Sequence, residues 1–214
     1  MRILYIDTSS TFLYTGIVED NKLLIEIQEK LEQNLSKDTV PKIASMFKTI
    51  NLKPKDIDKI IVVDGPGSFT GIRIGITIAK VYAHSLNIKI TSITSLEAMA
   101  ISINTNNYKV PVIDARRGYI YSAIFDKNMK VIMEPQHIKI NLLEIKLQDI
   151  DNYIIITNDE VKIEGIKTTY KPNILKIVEK YQNKENINPH SVNPNYLKLT
   201  EAEESLISND RKAN

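Results

Sequence analysis

Residues 6–25, IDTSSTFLYTGIVEDNKLLI, lie without a gap over residues 113–132, IDARRGYIYSAIFDKNMKVI, at an offset of 107, half of the 214-residue chain. Six of the 20 aligned positions are identical: Ile6/Ile113, Asp7/Asp114, Tyr14/Tyr121, Ile17/Ile124, Asn21/Asn128 and Ile25/Ile132. Both copies alternate apolar and polar residues and keep a polar turn in register, so each reads as a β-meander. Strands rich in Ile and Tyr align by β-propensity alone, but an Asp and an Asn shared at the strand end and the turn favour duplication. Such a chain folds as two similar α/β halves, residues 1–107 and 108–214.

The first half gives the clearer order of elements. Met1–Asp7, Tyr14–Val18 and Leu23–Gln28 read as three strands, and Ser36–Asn51 as a helix with Ser36 at its N-cap and Pro41 in its first turns. Ile60–Val63 and Lys89–Ile93 follow as strands, the first before a glycine-rich stretch and the second before a helix opened by Thr94 or Ser95. The second half carries less signal after its meander: a helix near Pro172–Gln182, and a polar, fraying end at residues 208–214.

Two meander-plus-helix halves, each with an Asp ending its first strand, describe the actin-like ATPase and sugar-kinase (ASKHA) fold, two ribonuclease H-like α/β units facing a cleft. There Asp7, with Thr8 and Ser9 beside it, would suit a Mg²⁺-phosphate site; equally, Asp7 suits a turn cap. Asp114 is followed by Ala115, Arg116 and Arg117, which offer no matching phosphate clamp. The last half of the chain also lacks a glycine-rich loop, so half of a kinase-like site is missing.

Composition removes other functions. A net charge of +2 with interspersed signs gives no footprint for stand-alone nucleic-acid binding. The absence of cysteine excludes disulfides, thiolate metal sites and cysteine nucleophiles. The N-terminus runs directly into a strand pattern and no apolar run reaches spanning length, so a cytoplasmic protein without a membrane anchor is expected. His84, His137 and His190 show no metal-ligand spacing.

The glycine-rich stretch, VVDGPGSFTGIRIGITIAK (62–80), admits more than one use. It lacks the Lys of a P-loop, matches a dinucleotide fingerprint only weakly, and places Ser68 outside the order of a nucleophile elbow. Gly65 and Gly67 could still shape a loop beside Asp7, Thr8 and Ser9. Gly67, Gly71, Gly75, Ala79 and Ala83 recur every four residues, a ridge without side-chain bulk on one helix. Ile72, Ile76 and Tyr82 surround it with apolar surface. Spacing alone fits a ridge packed inside its own half as well as one presented to another subunit.

GPGSFTGIRIGITIAK (65–80), TSLEA (94–98), DARRGYIYSAIFD (114–126) and PNYLKLTEAE (194–203) together resemble the TsaB family, also called YeaZ. The resemblance implies an actin-like fold without full catalytic equipment. It implies a non-catalytic subunit that dimerises with and activates TsaD, with the ATPase TsaE joining them, in forming N6-threonylcarbamoyladenosine at position 37 of tRNAs reading ANN codons. tRNA would be met only through that complex. An autonomous nucleotide-dependent phosphotransferase is the alternative. Where TsaD carries Asn-His-Leu-Glu-Gly-His, with two metal-binding imidazoles, this chain has Thr94-Ser95-Leu96-Glu97-Ala98-Met99, so neither a metal nor a catalytic residue is expected. The resemblance also favours the ridge, Gly67, Gly71, Ile72, Gly75, Ile76, Ala79, Tyr82 and Ala83, as the partner surface. No intrinsic cofactor is expected, ATP or ADP at the joint with the partner being the one left open. An exposed apolar helix would invite a homodimer when the chain is alone.

Overall fold

A computed structural model of the chain describes residues 1–31 and 34–198; the polar end expected at 208–214 lies outside the described residues. The first half runs β1 (Arg2–Asp7), β2 (Phe12–Glu19), β3 (Lys22–Lys30), α1 (Leu35–Thr49), β4 (Lys59–Val63), α2 (Phe69–Leu86), β5 (Lys89–Ile93) and α3 (Ser95–Ser102). The second runs β6 (Tyr108–Asp114), β7 (Tyr119–Phe125), β8 (Val131–Lys139), α4 (Ile140–Leu147), β9 (Tyr153–Ile156), β10 (Lys167–Thr168) and α5 (Ile174–Tyr181). The two sheets have orders β3-β2-β1-β4-β5 and β10-β9-β6-β7-β8. Each is an antiparallel meander continued by two parallel strands, and the second repeats the first. The duplicated ribonuclease H-like pattern of the actin-like fold is therefore present in both halves.

Central strands are covered on both faces, which explains the unbroken apolar runs of β1 and β4. On the first sheet, Leu4, Ile6, Ile60 and Val62 face α1 and α2, while Ile3, Tyr5, Ile61 and Val63 face α5. On the second, Val110, Val112 and Ile120 face α4, while Ala123, Phe125 and Ile156 face α3. The layers are thus α1/α2, first sheet, α3/α5, second sheet, α4. α3, from the first half, covers the second sheet, and α5, from the second half, covers the first. This exchange makes the two cores interdependent.

After α5 the chain continues as a strap along the first half. Lys59 Nζ donates to the carbonyls of Gln182 and Lys184, and Ile187 N donates to Ile90 O at the β5 edge. Lys80 Nζ on α2 donates to Val192 O (3.0 Å), Val192 is buried against α2, and Asn195 N donates to Asp64 O (2.8 Å).

The repeat holds less closely at its aspartates. Asp7 pairs across from Tyr14, but Tyr121 pairs across from Ile113, and Asp114 from Ile120. The antiparallel register has slipped by one residue between the halves, and a one-residue slip turns side chains to the other face. Each Asp ends the first strand of its half, as the repeat predicts, but by register the equivalent of Asp7 is Ile113, so the alignment of Asp7 with Asp114 does not carry over to equivalent positions in the sheets. Asp7 is buried; Asp114 is exposed, its Oδ1 accepting from Arg116 N (2.8 Å).

Helix ends follow local chemistry. Thr94 caps α3 with a capping box: its hydroxyl accepts from Glu97 N (3.0 Å) while Glu97 Oε2 accepts from Thr94 N (2.7 Å). α1 differs from expectation. Its N-cap is Asn34, Ser36 lies within the first turn, and Pro41 stands inside the helix.

Candidate functional site

β4 ends in the turn Asp64–Ser68, which leads into α2. Gly65 has a positive φ of 117°, and a Cβ there would meet Asn195 O and Ile72 Cδ1 at 2.9 Å, so the turn needs glycine for both conformation and space. Ser68 caps α2, its hydroxyl accepting from Gly71 N (3.2 Å), and Ser68 N donates to Ser9 O (2.7 Å). Thr8 Oγ1 donates to Gly71 O (2.7 Å). The start of α2 is therefore bonded to the residues just after β1.

Those bonds explain the four-residue glycine spacing. A Cβ on Gly67 would strike Ser9 O, one on Gly71 would strike Thr8 O, and one on Gly75 would strike Thr8 Oγ1, each closer than 3.0 Å. Gly71, Ile72, Gly75, Ile76, Ala79 and Ala83 are all buried, and Tyr82 stacks on Phe47 of α1 with ring centroids 6.5 Å apart. The expectation that this ridge faces a partner is corrected: all eight named residues pack on their own chain. The ridge lets α2 approach the end of β1.

Among the described residues, the opposite side of α2 is covered only at its start, where Tyr196 stacks on Phe69. Phe69, Thr70, Arg73, Thr77 and Val81 are exposed, with Ile74 and Ile78 half-buried between α2 and α1. Together with Ser36 and Val40 of α1, Phe69, Thr70, Arg73, Ile74, Thr77 and Ile78 line a groove of about 420 Å³. Among the described residues, Arg73 is its one charged lining residue. Phe69 and Val81 are 56% and 57% exposed, large apolar side chains left in water.

A cleft of about 880 Å³ separates the two sheets at their meander ends. Ser9, Ser10, Phe12, Gly67 and Ser68 line it from the first half, and Asp114, Arg116, Tyr121, Asp159 and Tyr170 from the second. Of the five residues expected to hold a nucleotide, Ser9 and Gly67 reach this cleft. Asp7, Thr8 and Gly65 are buried beneath it, so the five do not come together on the cleft surface. Asp7 Oδ1 accepts from Ser9 N (2.8 Å) and Ser9 Oγ (2.7 Å), and Oδ2 accepts from Tyr5 OH (3.3 Å). Burial raises its pKa while these donors pull it down. Thr8 gives its hydroxyl to Gly71. As arranged, neither side chain presents an oxygen to a cation or phosphate in the cleft.

The segment from Thr94 to Met99 is likewise turned to structure. Ser95 N donates to Gly65 O (2.8 Å) and Ser95 Oγ to Pro66 O, so α3 clamps the glycine turn; Met99 is buried against the second sheet. Among the described residues, no three His, Asp or Glu side chains converge as metal ligands. Sequence spacing did not reveal that His84 and His190 meet edge to face, 4.8 Å apart, where the strap crosses α2.

Asp64 was also missed. Its Oδ1 is buried without a hydrogen-bond partner among the described residues. Burial raises its pKa to about 6, opposed by a hydrogen bond from Ser92 and by Lys184, while Glu97 adds to the rise. The folded chain thus binds this proton more tightly than the unfolded chain, whose Asp titrates near 3.8. Asp64 therefore lowers stability progressively as pH rises from about 4 to about 6, and its full penalty remains above that window. Asp64→Asn is expected to be more stable than the parent at about pH 7.5, with the difference closing near pH 4. Urea midpoints of both proteins at the two pH values check this, and an equal difference at both would contradict it.

No helix among the described residues is long and apolar enough to cross a membrane. Residues 27–168 match the family model of TsaD, tRNA N6-adenosine threonylcarbamoyltransferase. The chain is 29% identical to the tRNA threonylcarbamoyladenosine biosynthesis protein TsaB of Bacillus subtilis, over 99% of this chain and 100% of that one. It is 27% identical to the protein of the same name from Buchnera aphidicola subsp. Schizaphis graminum, over 87% of this chain and 91% of the other. Its fold is shared with YeaZ from Pseudomonas aeruginosa, with a TM-score of 0.76 at 15% identity, covering 92% of this chain and 99% of that one.

Proposed function

Since the chain belongs to the TsaB (YeaZ) family of tRNA threonylcarbamoyladenosine biosynthesis, with a TsaD-type domain over residues 27–168, we propose that it serves as the non-catalytic partner of a TsaD subunit. It pairs with TsaD through the outer face of α2 and the adjoining face of α1, and so activates threonylcarbamoyl transfer to N6 of adenosine 37 in tRNAs reading ANN codons. TsaE, the ATPase, joins that pair, and tRNA is bound by the assembly. A nucleotide taking part does so at the joint of the subunits.

The observation that carries this reading is the contrast between the two sides of α2. Its inner side is packed against the first sheet and the residues that follow β1, whereas its outer side joins α1 in an apolar groove flanked by exposed Phe69 and Val81. Interfaces of lasting complexes place aromatic and aliphatic anchors in such surroundings. Support for a non-catalytic role comes from Asp7 and Thr8, whose polar groups are bonded within the fold.

The phosphotransferase alternative needs Asp7 at the phosphates. The purified chain alone is therefore expected to leave ATP unhydrolysed above background. Asp7→Ala should lower its unfolding free energy by about 1–3 kcal/mol, because buried donors from Ser9 and Tyr5 lose their acceptor. Phosphate release and urea unfolding measure the two effects. ATP turnover by the parent that disappears in Asp7→Ala would support the phosphotransferase instead.

A further inference from the structure

The strap ends, within the described residues, on the outer face of α2. The Tyr196 ring stacks on Phe69 with centroids 5.2 Å apart. Arg73 lies over the Phe69 ring at 3.8 Å, and its Nε donates to Tyr196 Oη at 2.7 Å. Phe69 and Arg73 also line the α1–α2 groove. Two residues of one helix and one residue from 123 positions further along the chain thus form a clasp at the groove's end.

We infer that this Phe69–Arg73–Tyr196 clasp is the binding hot spot of the partner face, so that the C-terminal strap is a working part of the interface. The inference rests on the partner reading above. Tyr and Arg are the residue types that concentrate binding energy, and stacking fixes both here before any partner arrives, which reduces the ordering cost of association. Arg73 uses one of its five N–H donors on Tyr196, and the other four have no hydrogen-bond partner among the described residues. With no acidic residue among the described residues lining the groove, charge complementarity calls for a partner that brings a carboxylate or exposed carbonyls to Arg73 and apolar side chains to Val40, Ile74 and Ile78. A second copy of this chain is a poorer fit, because among the described residues the groove of an isologous pair supplies no carboxylate to Arg73. The partner that fits is a different subunit with an acidic or carbonyl-rich helix end.

The test is titration calorimetry of the full chain against the TsaD subunit, with unfolding midpoints recorded for every variant. Tyr196→Ala and Arg73→Ala should each weaken pairing by about tenfold or more, and the double variant should lose clearly less than the two losses combined. Arg73 is exposed, so its variant stays folded although it releases the Tyr196 hydrogen bond, and it decides the matter even where Tyr196→Ala loosens the strap. Thr77→Arg, in mid-groove, serves as the reference for the partner face itself. If Thr77→Arg abolishes pairing while Arg73→Ala retains parental affinity, the clasp inference is wrong and the partner reading stands. If all three variants pair normally, both fall.

Discussion

Gly71→Val is expected to leave little folded protein. The added Cβ would sit on the Thr8 carbonyl oxygen, which belongs to the backbone leaving β1 and cannot rotate away as a side chain would. β1 is the central strand of the first sheet, bonded to β2 on one side and β4 on the other. α2 cannot retreat either, because Ile72, Ile76, Ala79 and Ala83 share one core with Leu4, Ile6, Ile60 and Val62. Relief would require opening that core and breaking the Thr8 Oγ1 to Gly71 O bond. We expect a loss of about 3 kcal/mol or more, the upper end of overpacking costs, from a total of roughly 5–15 kcal/mol for a typical domain. Urea unfolding and soluble yield measure it. Gly118→Ala provides the contrast: nothing lies within 4 Å of its Cβ position, so only its positive φ of 78° opposes the change. Gly71→Val with the parent's midpoint would show that α2 does not pack on β1 as described.

The same contact explains what the sequence could and could not convey. The four-residue recurrence fixes which residues share a helix side, and α2 carries Gly71, Gly75, Ala79 and Ala83 as that spacing required, while Gly67 lies in the turn before the Ser68 N-cap and not on the helix. It does not say what that side meets. Ile72 and Ile76 beside the glycines were the available clue, since an apolar stripe most often marks the core side of a helix. The outer stripe of Phe69, Arg73, Thr77 and Val81 is mixed in character, and its importance emerges only when α1 is seen to complete a groove with it.

Element order was legible because alternation and turn residues act locally, and both meanders occur where the repeat put them. The one-residue slip that separates Asp7 from Asp114 was hidden. Side-chain identity aligns the two stretches, but pairing across β6 and β7 is set by the Ala115–Gly118 turn, where Arg116 and Arg117 adopt positive φ of 65° and 55°. The exchange of α3 and α5 between sheets, and the strap that brings Tyr196 to Arg73, depend on contacts between distant residues and leave no local mark in the sequence.

The second large effect concerns pairing. Thr77 is exposed at the middle of the α2 outer face and lines the groove, so Thr77→Arg should cost the isolated chain almost nothing. In an assembled interface the same change would bury a second cation one helical turn from Arg73, with no acidic residue among the described residues lining the groove to pair it. An unpaired charge in that position costs about 2–5 kcal/mol, equivalent to at least about 30-fold weaker association. Gly75→Leu, by contrast, should impair pairing only by damaging the fold, because its side chain would be driven into Thr8.

The central claim is that the outer face of α2 and α1 holds a TsaD subunit, and sedimentation equilibrium of an equimolar mixture tests it most directly. The account predicts the mass of a one-to-one complex for the parent chain and separate subunits for a folded Thr77→Arg variant at the same concentration. Parent and variant forming the same complex would place the interface elsewhere, and no complex with either would contradict the account.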